Sequence, residues 1–312
     1  MNEVEGASRT DFFGYQDCVR LDNGAPGSTS VVLGHHCGGR VLEYALAGQN
    51  ALYLDPAHQG WTYGPGQPLF GPSGGRMDIG PEHTIPRHPA LWLGAWTAEI
   101  TGPRAARLTS VPDEATGVQL LRDFTLAADS SHLVCTQTMT NVSNATTRWN
   151  YWARTFALGG GIAMVPLTAG SRFPRDYVMY GPGAAIGFRP EDPNVRRRDG
   201  FLEVLGPTQF PKLGFDSHAG WLAYLTRTNL LLVKEFPTFP ERVYGEVAGL
   251  TISVWYPDGP MCELEPIGPR ELLEPGESAS FTEEWWLLPW QFPASGEQVD
   301  LEAVGQAVTR SA

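Results

Sequence analysis

The segment Cys262–Leu287 reads CELEPIGPRELLEPGESASFTEEWWL, and its pattern sets the fold class. Glu263 and Glu265 alternate about Leu264, so an extended strand would put both carboxylates on one face and the leucine on the other. Glu274-Pro275-Gly276-Glu277 then turns the chain, with Pro275 presetting the first turn angle and Gly276 tolerating the positive φ that follows. Residues 278–288 complete the unit as a long closing strand. Strand, turn, strand is the grammar of an antiparallel β protein.

The same grammar runs outward along the chain. Alternation of period two is legible in Leu126–Met139, Leu230–Phe236 and Thr251–Tyr256. The 36 Gly and 26 Pro among 312 residues break the sequence into short runs rich in Val, Leu, Thr, Tyr and Trp. Asn141-Val142-Ser143-Asn144, between a strand ending at Met139 and one starting near Thr147, reads as a hairpin connection. The clearest helical period is in the tail, over 298–308, where Val299, Leu301, Val304 and Val308 recur. With no internal repeat and no long linker, the economical reading is all-β: one sandwich or barrel over residues 1–312, with about 1–25 and about 295–312 as peripheral extensions.

Composition narrows the function classes. There are 22 Lys and Arg against 34 Asp and Glu, a net charge of −12, which is the wrong sign for a non-specific nucleic-acid binder. The basic run Arg196-Arg197-Arg198 precedes Asp199 in a Pro- and Asp-rich stretch and reads as a solvated turn. No apolar stretch is long enough for a membrane span, and the opening MNEVEG lacks the basic and apolar regions of a secretory signal, so a cytoplasmic location is expected. Cys18, Cys37, Cys135 and Cys262 are scattered, without metal-ligand or disulfide spacing, and are expected to be reduced and buried. No metal and no cofactor are expected, since P-loop, dinucleotide, GxSxG and HExxH patterns do not occur.

Three segments taken together carry a resemblance: Gly38-Gly39-Arg40-Val41-Leu42-Glu43-Tyr44, then Thr140-Asn141-Val142-Ser143-Asn144 leading to Trp149-Asn150-Tyr151-Trp152, then Cys262–Leu287. In order and spacing the chain resembles the galactose mutarotase-like superfamily, which includes the aldose 1-epimerases. The resemblance covers about residues 30 to 290. It implies a β-supersandwich with a concave sugar-binding cleft and action at the anomeric carbon of a sugar. It also implies a catalytic Glu on the acidic strand, here Glu263 or Glu265, to exchange protons with the anomeric hydroxyl. Two neighbouring carboxylates would push one pKa upward, as a general base or acid requires; the same alternation also fits a solvent-facing strand.

The family's histidines are where this sequence departs. Tyr151–Phe156, where a catalytic His is expected, carries Arg154, and the position of a second family His, before Gly74-Gly75, is Ser73. Arginine stays protonated and cannot serve as the acid. Either another group donates the proton, with Glu82, His83 and His88 as candidates, or the protein is a non-catalytic carbohydrate-binding or regulatory module. The stretch Gly74–Trp92 also reads as a Gly- and Pro-broken loop in which Arg76, Glu82 and His83 would grip sugar hydroxyls, with Trp92 or Trp96 to stack on a ring; a solvated Pro-rich loop fits it equally. Lys212 and Lys234, each inside an apolar run, are expected anchors for an acidic sugar, because a buried ammonium calls for an anion. A sugar or acidic-sugar ligand is the expected partner.

Overall fold

The computed structural model describes residues 4–24, 28–64, 66–183 and 185–311. Two antiparallel sheets face each other. The larger, of twelve strands among the described residues, has at its centre Gly75–Gly80, Thr147–Leu158, Met261–Leu273, Ile252–Trp255 and Lys212–Phe215, in that spatial order. The second, of ten strands, has Trp221–Leu225, Leu230–Glu235, Ser278–Pro289 and Leu133–Asn141 at its centre. The acidic strand therefore occupies the middle of the larger sheet, paired with Thr147–Leu158 on one side and Ile252–Trp255 on the other.

Alternation decides which side chains meet between the sheets. Met77, Ile79, Tyr151, Ala153, Ala157, Val254 and Leu264 of the larger sheet join Leu133, Cys135, Leu232, Trp285 and Leu287 of the second in one apolar core. Their sequence neighbours, Arg76, Asp78, Trp152, Arg154, Glu263 and Glu265, consequently point to the outer face of the larger sheet. All four cysteines are buried free thiols.

Several expectations change at this level. Gly75–Gly80 is a buried strand rather than part of a loop. It is possible only with glycine at 75, where a Cβ would lie 2.7 Å from the Trp285 ring. Residues 141–144 do not close a hairpin; they carry the chain from the second sheet to the larger one, as residues 274–277 carry it back. The two crossings lie side by side: Asn141 accepts from Gly276 and donates to Glu277 through the backbone, and its amide donates to the Ala145 and Leu273 carbonyls at 2.8 Å each.

Within the N-terminal stretch, the described residues contribute to the larger sheet. Ala7–Phe12 and Tyr15–Asp22 are strands of the larger sheet, and Val19 and Leu21 are fully buried in the main core. The tail forms the helix Leu301–Ser311, whose Leu301, Val304 and Val308 pack on Met164, Leu225 and Leu231 of the second sheet's outer face. Arg196 and Arg198 lie on an edge strand, Val195–Arg198, and both fork onto the buried Glu203 carboxylate instead of facing solvent. No helix among the described residues is long and apolar enough to cross a membrane.

Candidate functional site

Four strands of the larger sheet set a compact group of charges on its outer face. Arg76 and Arg154 stand opposite each other on Gly75–Gly80 and Thr147–Leu158. Glu263 and Glu265 follow on the acidic strand, and Lys212 arrives from Lys212–Phe215, paired across Trp255 with Glu263's row. Of the residues expected to form the site, Arg76, Glu82, Arg154, Lys212, Glu263 and Glu265 lie together. Glu82 enters from the loop beyond Gly80 and bonds Lys212 directly.

The two carboxylates differ in environment. Glu263 accepts from Arg154 Nε at 2.7 Å and Nη2 at 3.5 Å, a fork that fixes both oxygens. Glu265 accepts from the indole N–H of Trp152 at 2.6 Å and from Lys212 at 3.4 Å. Burial pushes the Glu265 carboxyl up to about 7, against the pull of Lys212 and with help from the neighbouring Glu263 charge. Burial works against the charges of Lys212 and Arg154 also, but their carboxylate neighbours overcome it and hold both cations protonated above their ordinary range. Glu82 is disfavoured by burial but kept below its ordinary value by Lys212.

A pocket of about 220 Å³ opens beside this group, lined by Asp78, Glu82, His88, Trp92, Trp152 and Arg154. Its floor is aromatic and cationic: the Arg154 guanidinium lies 4.3 Å from the centre of the Trp152 ring and 5.3 Å from that of Trp92. Indole faces and charged hydrogen-bonding edges are the combination that holds a polyol ring. Glu263 and Glu265, each 1% exposed, sit behind the Trp152–Arg154 wall.

His88 is buried in the pocket lining with both ring nitrogens engaged. Nε2 lies 3.1 Å from Asp78 Oδ1 and Nδ1 lies 2.8 Å from the Pro86 carbonyl. Both partners are acceptors, so both nitrogens carry protons and the ring is an imidazolium. Burial opposes that charge, but Asp78 and Pro86 hold its pKa up to about 9. Burial likewise opposes the Asp78 charge, and His88 outweighs it to keep the carboxyl well below the usual range.

Two expected site residues lie elsewhere. Lys234 belongs to the second sheet and points between the sheets, where it donates to Thr155 Oγ1 at 2.8 Å and pairs with Glu283 at 3.0 Å. The anion that its burial calls for is thus an internal one, and Lys234 does not reach the pocket. His83 is exposed next to Glu82, whose charge it favours, and makes no side-chain hydrogen bond among the described residues. Conversely, Trp152 was not singled out as a site residue. Its signal is its position two residues before Arg154 on the same strand, which places both on one face.

No family model matches the sequence, and no curated protein matches it. Solved structures do match in fold. A galactose mutarotase-like protein from Lactobacillus casei superposes with a TM-score of 0.58 at 10% identity, over 86% of this chain and 100% of that one. A proposed aldose 1-epimerase from Escherichia coli K12 gives 0.56 at 12% identity, over 85% and 97%. A galactose mutarotase-like protein from Clostridium acetobutylicum gives 0.51 at 12% identity, over 92% and 100%. The chain has the galactose mutarotase-like β-sandwich fold.

Proposed function

We propose that the pocket binds a sugar and that the protein acts at its anomeric carbon, with Glu265 as the group that moves the proton. The observation that carries this reading is the state of Glu265. It is the carboxylate of the cluster whose pKa is raised to about 7, and it is held between the Trp152 indole, which lines the pocket, and the Lys212 ammonium, itself behind the pocket wall. As a carboxylate near neutrality, Glu265 takes the proton of the anomeric hydroxyl while the bond from the anomeric carbon to the ring oxygen breaks. The negative charge then on the ring oxygen is met by a cation. After rotation about the anomeric carbon the ring oxygen re-forms the bond on the other face as the carboxyl returns its proton. Glu263, clamped by Arg154, serves to fix that guanidinium, and Arg154 with Trp152 presents a charged edge and an aromatic face to the ligand. Lys212 keeps its proton and stabilises negative charge at the reacting oxygens.

A second reading, sugar binding without turnover, is favoured by one specific arrangement. Glu265 is only 1% exposed, and both N–H groups of the His88 imidazolium are already given to Asp78 and Pro86. Proton transfer to a sugar in the pocket therefore requires Glu265 to be uncovered, whereas binding does not. A sugar-array screen followed by NMR exchange spectroscopy on each sugar bound separates the two: binding with accelerated anomer exchange supports the enzyme, and binding at the uncatalysed exchange rate supports the module.

A further inference from the structure

Arg76 is 3% exposed, and none of its three side-chain nitrogens meets an acceptor among the described residues. Beside it the Trp92 indole nitrogen is likewise unpartnered. The guanidinium lies over two rings, 5.0 Å from the centre of Trp92 and 5.8 Å from that of Phe156. Every other charge in the group has a partner: Arg154 with Glu263, His88 with Asp78, and Lys212 with Glu82 and Glu265. Asp78 Oδ2 is an unengaged carboxylate oxygen on the same face, yet it does not bond Arg76. A buried, unpaired guanidinium with like-charged Arg154 on the next strand is costly to the fold, and a neutral side chain of similar size would serve packing better. The donors are arranged for something the protein itself does not supply.

We propose that Arg76 anchors the carboxylate of an acidic sugar of the uronic-acid type. The inference rests on the sugar-binding reading of the pocket and deepens it. One unpaired positive charge matches a monoanion better than a phosphate dianion. Aromatic faces cover the guanidinium plane and all three nitrogens are buried, so a ligand reaches them by displacing part of that cover, and a planar fork then meets a planar carboxylate through two parallel hydrogen bonds. Trp92 belongs both to the pocket wall and to the cover of Arg76, which does not itself line the pocket, so the indole is what separates a ligand in the pocket from the guanidinium.

The test is a set of equilibrium titrations, followed by tryptophan fluorescence, of galacturonate and glucuronate against galactose, glucose, their 6-phosphates and lactate. The unmodified protein, Arg76→Met and Arg76→Lys are compared, with thermal melts reporting that each variant folds. The expected result is that a uronate binds the unmodified protein at least about tenfold more tightly than its neutral counterpart. That ratio falls to within about twofold in Arg76→Met and to an intermediate value in Arg76→Lys, which keeps the charge but not the fork. Equal affinity for neutral and acidic sugars, or a preference unaltered in Arg76→Met, overturns the Arg76 assignment while leaving sugar binding standing. Tighter binding of a 6-phosphate than of a uronate overturns the carboxylate. Lactate binding that depends on Arg76, with no sugar bound, overturns the sugar and leaves Arg76 as a carboxylate anchor. Failure of every ligand overturns both.

Discussion

Trp152 donates its indole N–H to Glu265 over 2.6 Å, from a strand whose register against the acidic strand shifts by one residue between Asn150 and Trp152. On one side of the shift Asn150 pairs with Arg270, and on the other Trp152 pairs with Ile267. The bulge lies just before the segment that carries Trp152 and Arg154, and it sets which residues of the acidic strand they oppose. Bulges are commonly found beside sites because they re-aim side chains in this way.

The two glutamates should separate on substitution. Glu265→Gln is expected to lower anomer exchange by about 10² to 10⁴ with sugar affinity nearly unchanged, the usual loss when one general acid or base is removed. Glu263→Gln breaks the fork to Arg154, so it should weaken sugar binding instead. Titrations and exchange rates on one sugar, measured for both variants, check the assignment; equal effects of the two would contradict it.

A base that titrates at about 7 implies a pH profile. As a proton acceptor Glu265 works when ionised, so exchange under subsaturating sugar should rise with pH through a single limb centred near 7. The rate measured between pH 5 and pH 9 checks this, and a flat profile would remove Glu265 from the reaction.

The stability of the protein should also depend on pH through His88. Its folded pKa, about 9, is above the unfolded value of about 6.5, so the folded state binds the extra proton. That contribution is fully present below about pH 6.5 and is lost as pH rises to 9. Asp78, with its folded pKa depressed, adds stability that is present above about pH 4 and fades as pH falls below it. Burial raises Glu265, which makes its own stability contribution fall between about pH 4.5 and 7, in the same direction as that of His88. The thermal midpoint should therefore drop between pH 6.5 and 9, and His88→Gln should flatten that part of the curve and, by removing the charge that depresses Asp78, weaken the segment below about pH 4 as well.

Lys234 and Glu283 are fully buried between the sheets, with Tyr151 and Trp285 also donating to the carboxylate at 3.1 and 2.6 Å. Removing one partner strands a charge, so Lys234→Met alone is expected to cost about 3–5 kcal/mol. Replacing both, with Lys234→Met and Glu283→Leu, should recover part of that loss. Denaturant unfolding of the three variants measures it, and a single variant as stable as the parent would contradict the pairing.

What could be read in the sequence, and what could not, follows from the range of the interactions. Alternation about Leu264 needs only neighbours, so the shared face of Glu263 and Glu265 and the PG turn after them were legible. The same alternation is present in Arg76-Met77-Asp78-Ile79, but flanking Gly and Pro make it read as a loop; Gly75 is there because the strand runs against the Trp285 ring, and Gly74 because its φ is positive beside the Val41 carbonyl. Lys234 looked like a ligand anchor because its carboxylate, Glu283, lies on a strand far along the chain, joined only by sheet pairing. Whether residues 141–144 close a hairpin or cross between sheets depends on which sheet each flanking strand joins, and no local residue encodes that.

The central claim is that Glu265 moves a proton at the anomeric carbon of a bound sugar, and it is tested most directly by NMR exchange spectroscopy on the two anomers of a sugar that binds. With the unmodified protein the account predicts anomer exchange well above the uncatalysed rate, returning to near that rate in Glu265→Gln at saturating sugar. Bound sugar whose anomers exchange no faster than in buffer, or acceleration that survives intact in Glu265→Gln, would contradict it.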